Sequence, residues 1–188
     1  MTAAHEIVPE RQAMQPLRLQ MDVQFGFAEQ SDLPKLEWHG EYRHFRRVFE
    51  QAFEDQQRGT RLMLLAKVNE WPIGQIFIQL NNYDSFSTIS PKRSYFYSLR
   101  VMDAFQSKGI GTALLQEAQT ILINRRYDSV SIAAAKENPG ARRLYERLGF
   151  HVFTEDDGRW NYVDDEGKTR YVVEPCWILE KSLKPGNL

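Results

Sequence analysis

Cysteine is nearly absent from this chain. Cys176 is the single thiol in 188 residues, so no internal disulfide staples the fold, and a reducing cytoplasm is the expected compartment. An apolar run long enough for a membrane span or a leader peptide is also missing, which sets a membrane partner aside. Neither sign of charge is in excess: 24 Lys and Arg stand against 25 Asp and Glu, for a formal net charge of −1. That balance offers nucleic acid or an acidic surface no bulk attraction, so no nucleic-acid partner is expected. Internal repeats and low-complexity linkers are lacking too, which points to one domain rather than an array.

What is present is ordinary globular usage, 42% hydrophobic and 26% charged, on a chain long enough to bury a full core. Residues 1–15 lack apolar periodicity and read as a flexible tail, leaving 16–184 as the folded domain. Leu17 to Phe25 alternates apolar and polar and predicts the first strand. Ser31-Asp32-Leu33-Pro34 opens a short helix that Gly40 interrupts, and Tyr42, Phe45, Phe49, Ala52 and Phe53 mark a second. Strands are expected at about Arg61–Val68 and Ile73–Leu80, around a turn Asn69-Glu70-Trp71-Pro72. A long polar connection runs from Asn81 to Ser94. Beyond it come a strand over Tyr95–Met102, a helix from about Gly109 to Arg126 and a strand over Val130–Ala135. Asn138 caps a helix that Gly149 stops. Trp160–Val163 and Thr169–Val173 flank a hairpin turn, and Trp177-Ile178-Leu179 is the last strand. This order suits a mixed α/β sheet.

The most informative stretch is Gln106-Ser107-Lys108-Gly109-Ile110-Gly111, at the hand-over from strand to helix. Free backbone N–H groups at a helix start, aligned with the helix dipole, attract phosphate oxygens, and glycines let a phosphate approach closely. Gly-x-Gly also occurs in tight turns with no ligand, so the strand-to-helix context matters. A dinucleotide fingerprint fails at Leu114, where a third glycine would stand, and no Gly-Lys-Ser/Thr follows to make a P-loop. The pattern that fits is Gln/Arg-x-x-Gly-x-Gly/Ala. Here the chain resembles the GNAT superfamily of acetyl-CoA-dependent N-acetyltransferases. A second block, Asn138 to Phe150, resembles that superfamily's N-x-x-A-x-x-L-Y-E-x-x-G-F segment, and the two together span roughly residues 95–153.

The resemblance implies a GNAT fold: a mixed, mostly antiparallel central sheet flanked by helices, with one splayed strand pair. It implies acetyl-CoA as co-substrate, no metal, and an amine as acceptor; a homodimer is compatible with it. Carried over, the backbone of Leu99, Arg100 and Val101 holds the pantetheine and acetyl group. Gln106 and the amides of Ser107, Lys108, Gly109, Ile110, Gly111 and Thr112 hold the pyrophosphate. A strand N–H near Leu99 or Val101 would stabilise the developing oxyanion by ~3 kcal/mol. Tyr145 is implied as proton donor to the departing thiolate, the other reading being a core aromatic between Ala141 and Leu148. Asn138 meets the pantetheine or serves only as a cap, and Lys108 and Arg142 meet phosphates or form a solvated face. The general base is unassigned by this route, because Tyr95–Met102 has no carboxylate. Glu37, Glu41, His39, His44 and Asp84 are candidates beside the acceptor, with Glu41 the chosen base acting through water, and Trp38 and Tyr42 candidate pocket walls. The extra hairpin and the long connection depart from the superfamily's pattern and are expected to shape the acceptor site. The alternative reading is a non-catalytic acyl-CoA-binding sensor or scaffold.

Overall fold

The computed structural model describes residues 20–80 and 92–184; the expected tail and Asp84 lie outside them. Along the chain run β1 (Gln24–Phe27), a 3-10 segment (Gln30–Gly40), a single 3-10 turn (Arg43–Phe45), α1 (Arg46–Gln57), β2 (Arg61–Val68), β3 (Trp71–Gln79) and β4 (Arg93–Val101). A short turn then leads to α2 (Ile110–Asn124), β5 (Ser129–Ala135), α3 (Pro139–Arg147), β6 (His151–Asp156), β7 (Arg159–Val163), β8 (Thr169–Val173) and β9 (Cys176–Ser182). Among the described residues, seven strands form one sheet in the order β1-β2-β3-β4-β5-β9-β6, and β7-β8 stand apart as a hairpin. Every pairing in the large sheet is antiparallel except β4 with β5.

Central strands read as almost continuous apolar runs because both their faces are covered. On β2, Leu62, Leu64 and Ala66 join the layer under α2, with Leu114, Leu115 and Ala118. The alternating Met63 and Leu65 join Phe49, Ala52 and Phe53 of α1 on the opposite face. This is the period-2 alternation of a strand, expressed as two separate cores.

Some expectations shift. The first strand occupies Gln24–Phe27, with residues 20–23 outside it, and the expected start at Leu17 lies outside the described residues. The expected first helix is a 3-10 segment whose regular geometry fails at Trp38 and His39, which have φ of 41° and 59°. Pro34 removes one helical donor, and three successive left-handed residues ending at Gly40 turn the chain before α1 begins. The turn between β2 and β3 is only Asn69-Glu70, both at positive φ as a two-residue hairpin requires, so Trp71 and Pro72 belong to β3. Strand β6 was not anticipated, and it pairs with β9 at the sheet edge.

Two irregularities build the site. Gln75 opposes Arg100 and Phe77 opposes Tyr97, so Ser98 and Leu99 together face Ile76 in a bulge, with Ser98 at φ 52°. The parallel ladder between β4 and β5 runs from Arg93↔Ser129 to Phe96↔Ile132 and ends there. Beyond it, Tyr97–Val101 and Ala133–Ala135 separate, which is the splay expected from the resemblance.

Candidate active site

The separated strands open a cavity of about 930 Å³, walled by Ser98, Leu99 and Arg100 on one side and Ala133, Ala134 and Ala135 on the other. The bulge decides what faces it. Phe96, Leu99 and Val101 pack toward the α2 layer, whereas Tyr97 and Arg100 face the α1 layer. Strict alternation would send Arg100 to the same face as Phe96; the extra residue reverses it.

At the end of β4 the chain turns through Asp103–Phe105 and enters α2 at Gly109, the N-cap, with φ 85° and ψ −5°. Ser107 is also left-handed, with φ 58°. Among the described residues, no protein acceptor takes the backbone N–H of Ser107, Lys108, Gly109, Ile110, Gly111 or Thr112. A Cβ at Gly109 would meet nothing within 4 Å, so the space beside the N–H groups is open. Donors, dipole and clearance together fit a pyrophosphate. Side chains of the motif have other partners here. Gln106 donates to the Val101 carbonyl at 3.0 Å and to Asp103 at 2.7 Å, bracing the turn, and the Lys108 ammonium donates to the Ala104 carbonyl at 3.0 Å. Ile110 points into the core.

α3 presents the second block. The Asn138 side chain accepts from the Ala141 N–H at 3.0 Å, so it does cap the helix, and it also lines the cavity. Arg142 bonds Glu146 at 2.8 Å and covers the ring of Trp177 at 4.5 Å. Tyr145 lies in the cavity wall, 5% exposed, with its ring 6.2 Å from that of Phe150. Burial pushes its phenol up to about 12. It is therefore both a packed aromatic and a protonated group at the cleft.

The acceptor side departs from the sequence-based expectation. Glu37 is held by Arg46 through bonds of 2.6 and 2.9 Å. Glu41 is exposed and stands outside the cavity wall, where its carboxylate accepts from the Tyr42 hydroxyl. Burial first, and that bond second, raise the Tyr42 pKa. His39 stacks on Trp71 and borders a separate shallow pocket. His44 lies against Phe45, 4.2 Å between centroids. Trp38 is buried edge-on to Tyr42. None of Glu37, Trp38, Glu41, His39 or His44 is among the described residues lining the cavity. The carboxylates that do line it are Asp156, which accepts from the Gly158 N–H at 2.6 Å, and Glu174. Trp160 and Tyr162 of the hairpin complete the wall and pack on Phe45, with centroids 6.3 and 4.7 Å away.

Comparison with known proteins bears on the same features. The sequence profile described as "Acetyltransferase (GNAT) family" matches residues 27–150, most of the chain. The chain belongs to the GNAT acetyltransferase family. A curated relative, N-alpha-acetyltransferase 30 of Xenopus laevis, is 32% identical over 90 residues, which is 48% of this chain and 32% of that protein. The chain thus spans about a third of that relative's length. The solved structure of the ribosomal-protein-S18-alanine N-acetyltransferase from Escherichia coli superposes with a TM-score of 0.64 at 20% identity, covering 89% of this chain and 99% of that one. The structure of Arabidopsis thaliana NAA60 in complex with acetyl-CoA superposes with a TM-score of 0.64, at 20% identity over 86% of this chain and 98% of its own. These structures share the fold, including the mostly antiparallel sheet flanked by helices.

Within this GNAT chain the sequence reading missed Arg100 as a side chain, and it missed Glu174. The hairpin was expected to shape the acceptor site, but its aromatics Trp160 and Tyr162, which line the cavity, were not singled out. Among the described residues, no group of three or more His, Cys, Asp or Glu side chains is placed to hold a metal, and no helix is long and apolar enough to cross a membrane.

Proposed function

We propose that this chain transfers the acetyl group of acetyl-CoA to a primary amine, on a small molecule or on a peptide or protein, by direct attack and in a reducing cytoplasm. The observation that carries the reading is a cleft walled by an unpaired β4 edge and the protonated Tyr145, with open helix-start amides where β4 leads into α2. The names of the N-alpha-acetyltransferase relative and of the S18-alanine enzyme support an amino-group acceptor.

Bound acetyl-CoA supplies an activated thioester carbonyl. The amides of Ser107 to Thr112 hold the diphosphate, and the free edge of β4 bonds the linear arm as a further strand would. A backbone N–H at Leu99 or Val101 donates to the negative charge that builds on the carbonyl oxygen, worth ~3 kcal/mol for one placed donor. Tyr145 donates its proton, or a hydrogen bond, to the departing sulfur. An amine with a pKa near 10 is mostly protonated at neutral pH, so a base must relieve it. Glu174 serves this role better than Glu41, because Glu174 lines the cavity, while Asp156 is engaged by Gly158.

Titration with acetyl-CoA, read by thermal shift and then by thiol release with a panel of amines, tests the reading. At a hundredfold excess over Kd, stabilisation of about 2.7 kcal/mol is expected. Amine-dependent thiol release then supports transfer. A shift with no amine-dependent release points to the acyl-CoA-binding module instead.

A further inference from the structure

We propose that Arg100 makes this cleft selective for amines that carry a carboxylate at their other end; this rests on the acetyltransferase reading and specifies its substrate class. Arg100 stands on the separated part of β4, turned toward the α1 layer by the bulge at Ser98 and Leu99. Its guanidinium lies against the rings of Tyr42 and Phe45, with Cζ 4.5 Å from each centroid. Those rings position the group but accept no in-plane hydrogen bond, so its N–H donors stay available.

Among the described residues, four arginines line the cavity, and three have partners. Arg61 pairs with Asp55 at 3.3 Å and bonds Gln79 at 3.0 Å, Arg93 pairs with Glu180, and Arg159 pairs with Asp157 at 3.4 Å. Arg100 has no hydrogen bond or ion pair among the described residues, and its Nη1 is buried without an acceptor. Gln75, directly across the ladder from it, has a buried Nε2 in the same condition. So does the Nε1 of Trp38, which packs on Tyr42. All three are donors, though of the three residues only Arg100 lines the cavity; a fourth buried unpaired atom, the Tyr97 hydroxyl, can donate or accept. Arg100 is the charged member of this group, and a guanidinium fork matches a carboxylate in two parallel bonds. Burial opposes the charge on Arg100, which Tyr42, Glu41 and Glu174 partly offset, so a bound anion would restore what desolvation removes. One unpaired cation with Glu174 in the same wall suits a single negative charge and disfavours a phosphate dianion. The cavity volume also lies in the range of small-molecule sites.

Matched amines test this. Amino acids and ω-amino acids are compared with their carboxamides, with phosphoethanolamine as the dianionic member, by acetyl-CoA-dependent thiol release in wild type, Arg100→Gln and Arg100→Lys. Each carboxylate is expected to exceed its carboxamide in kcat/KM by about tenfold or more, the worth of one charge-assisted bond. Arg100→Gln brings that ratio close to one, mainly through KM, and Arg100→Lys recovers part of it. A retained acetyl-CoA thermal shift shows that each variant is folded; if Arg100→Gln loses it, Arg100→Lys and the wild-type ratio decide. A wild-type ratio near one, a ratio indifferent to Arg100→Gln, or phosphoethanolamine outrunning the carboxylates overturns the proposal. If acetyl-CoA binds but no amine releases thiol, the transfer reading fails by itself. The proposal then stands or falls on whether glutarate further stabilises the CoA-saturated wild type and leaves Arg100→Gln unmoved.

Discussion

Tyr145 owes its protonation state to burial, since no charged neighbour contributes to its shift. Replacing it with Phe keeps the ring that packs beside Phe150 and removes only the proton. Tyr145→Phe should therefore lower turnover about tenfold to a hundredfold, within reach of one acid–base group. The acetyl-CoA thermal shift should stay as in wild type, and single-turnover thiol release measures the loss. Tyr145 and Asn138 were legible in the sequence because their spacing within one short helix is fixed by the helix itself. Arg100 was not. Its direction depends on an inserted residue in β4 that no period-2 pattern shows, and its neighbours come from Tyr42 and Phe45, more than fifty positions earlier.

Two glycines show how elements, rather than single side chains, define the cleft. Gly109 begins α2 in the left-handed region with open space around it, so Gly109→Ala meets a conformational penalty and no clash. A loss of about 1–2 kcal/mol is expected in urea denaturation, together with weaker acetyl-CoA binding as the loop amides reorient. Gly158 is different. A Cβ there would overlap the Glu174 carbonyl, where the Glu174 N–H also bonds Gly158 O at 3.1 Å. Gly158→Ala should cost on the order of 3 kcal/mol and raise KM for the amine, because Glu174 and the hairpin shift, while acetyl-CoA binding persists. Long apolar elements such as β2, β3 and α2 were read from the sequence nearly to their ends. The segment before α1 was not, because its apolar spacing resembles a helix while Pro34 and three left-handed residues forbid one. β6 escaped notice because its residues are mostly exposed and show no clean alternation.

At the scale of the whole molecule, the phenols set the alkaline limit of stability. Burial raises Tyr145 to about 12 and raises Tyr97, Tyr42 and Tyr127 as well. In the unfolded chain they ionise near pH 10. Below that value both states hold the protons and stability is unaffected. As pH rises from about 10 to about 12 the unfolded chain releases protons that the folded one retains, so stability falls. Tyr145 alone contributes roughly 3 kcal/mol to this decline. Urea titrations at pH 8, 10 and 11 should show a flat region and then a drop, reduced in Tyr145→Phe.

The parting of β4 from β5 has one more consequence. Two bare strand margins would ordinarily invite stray peptides to zip on and start aggregates. Here the margins confront each other inside a slot walled by the hairpin, so a guest must be thin and threadlike to lie along them. A recess narrow enough for a slender acyl carrier thereby keeps a further strand from pairing along it.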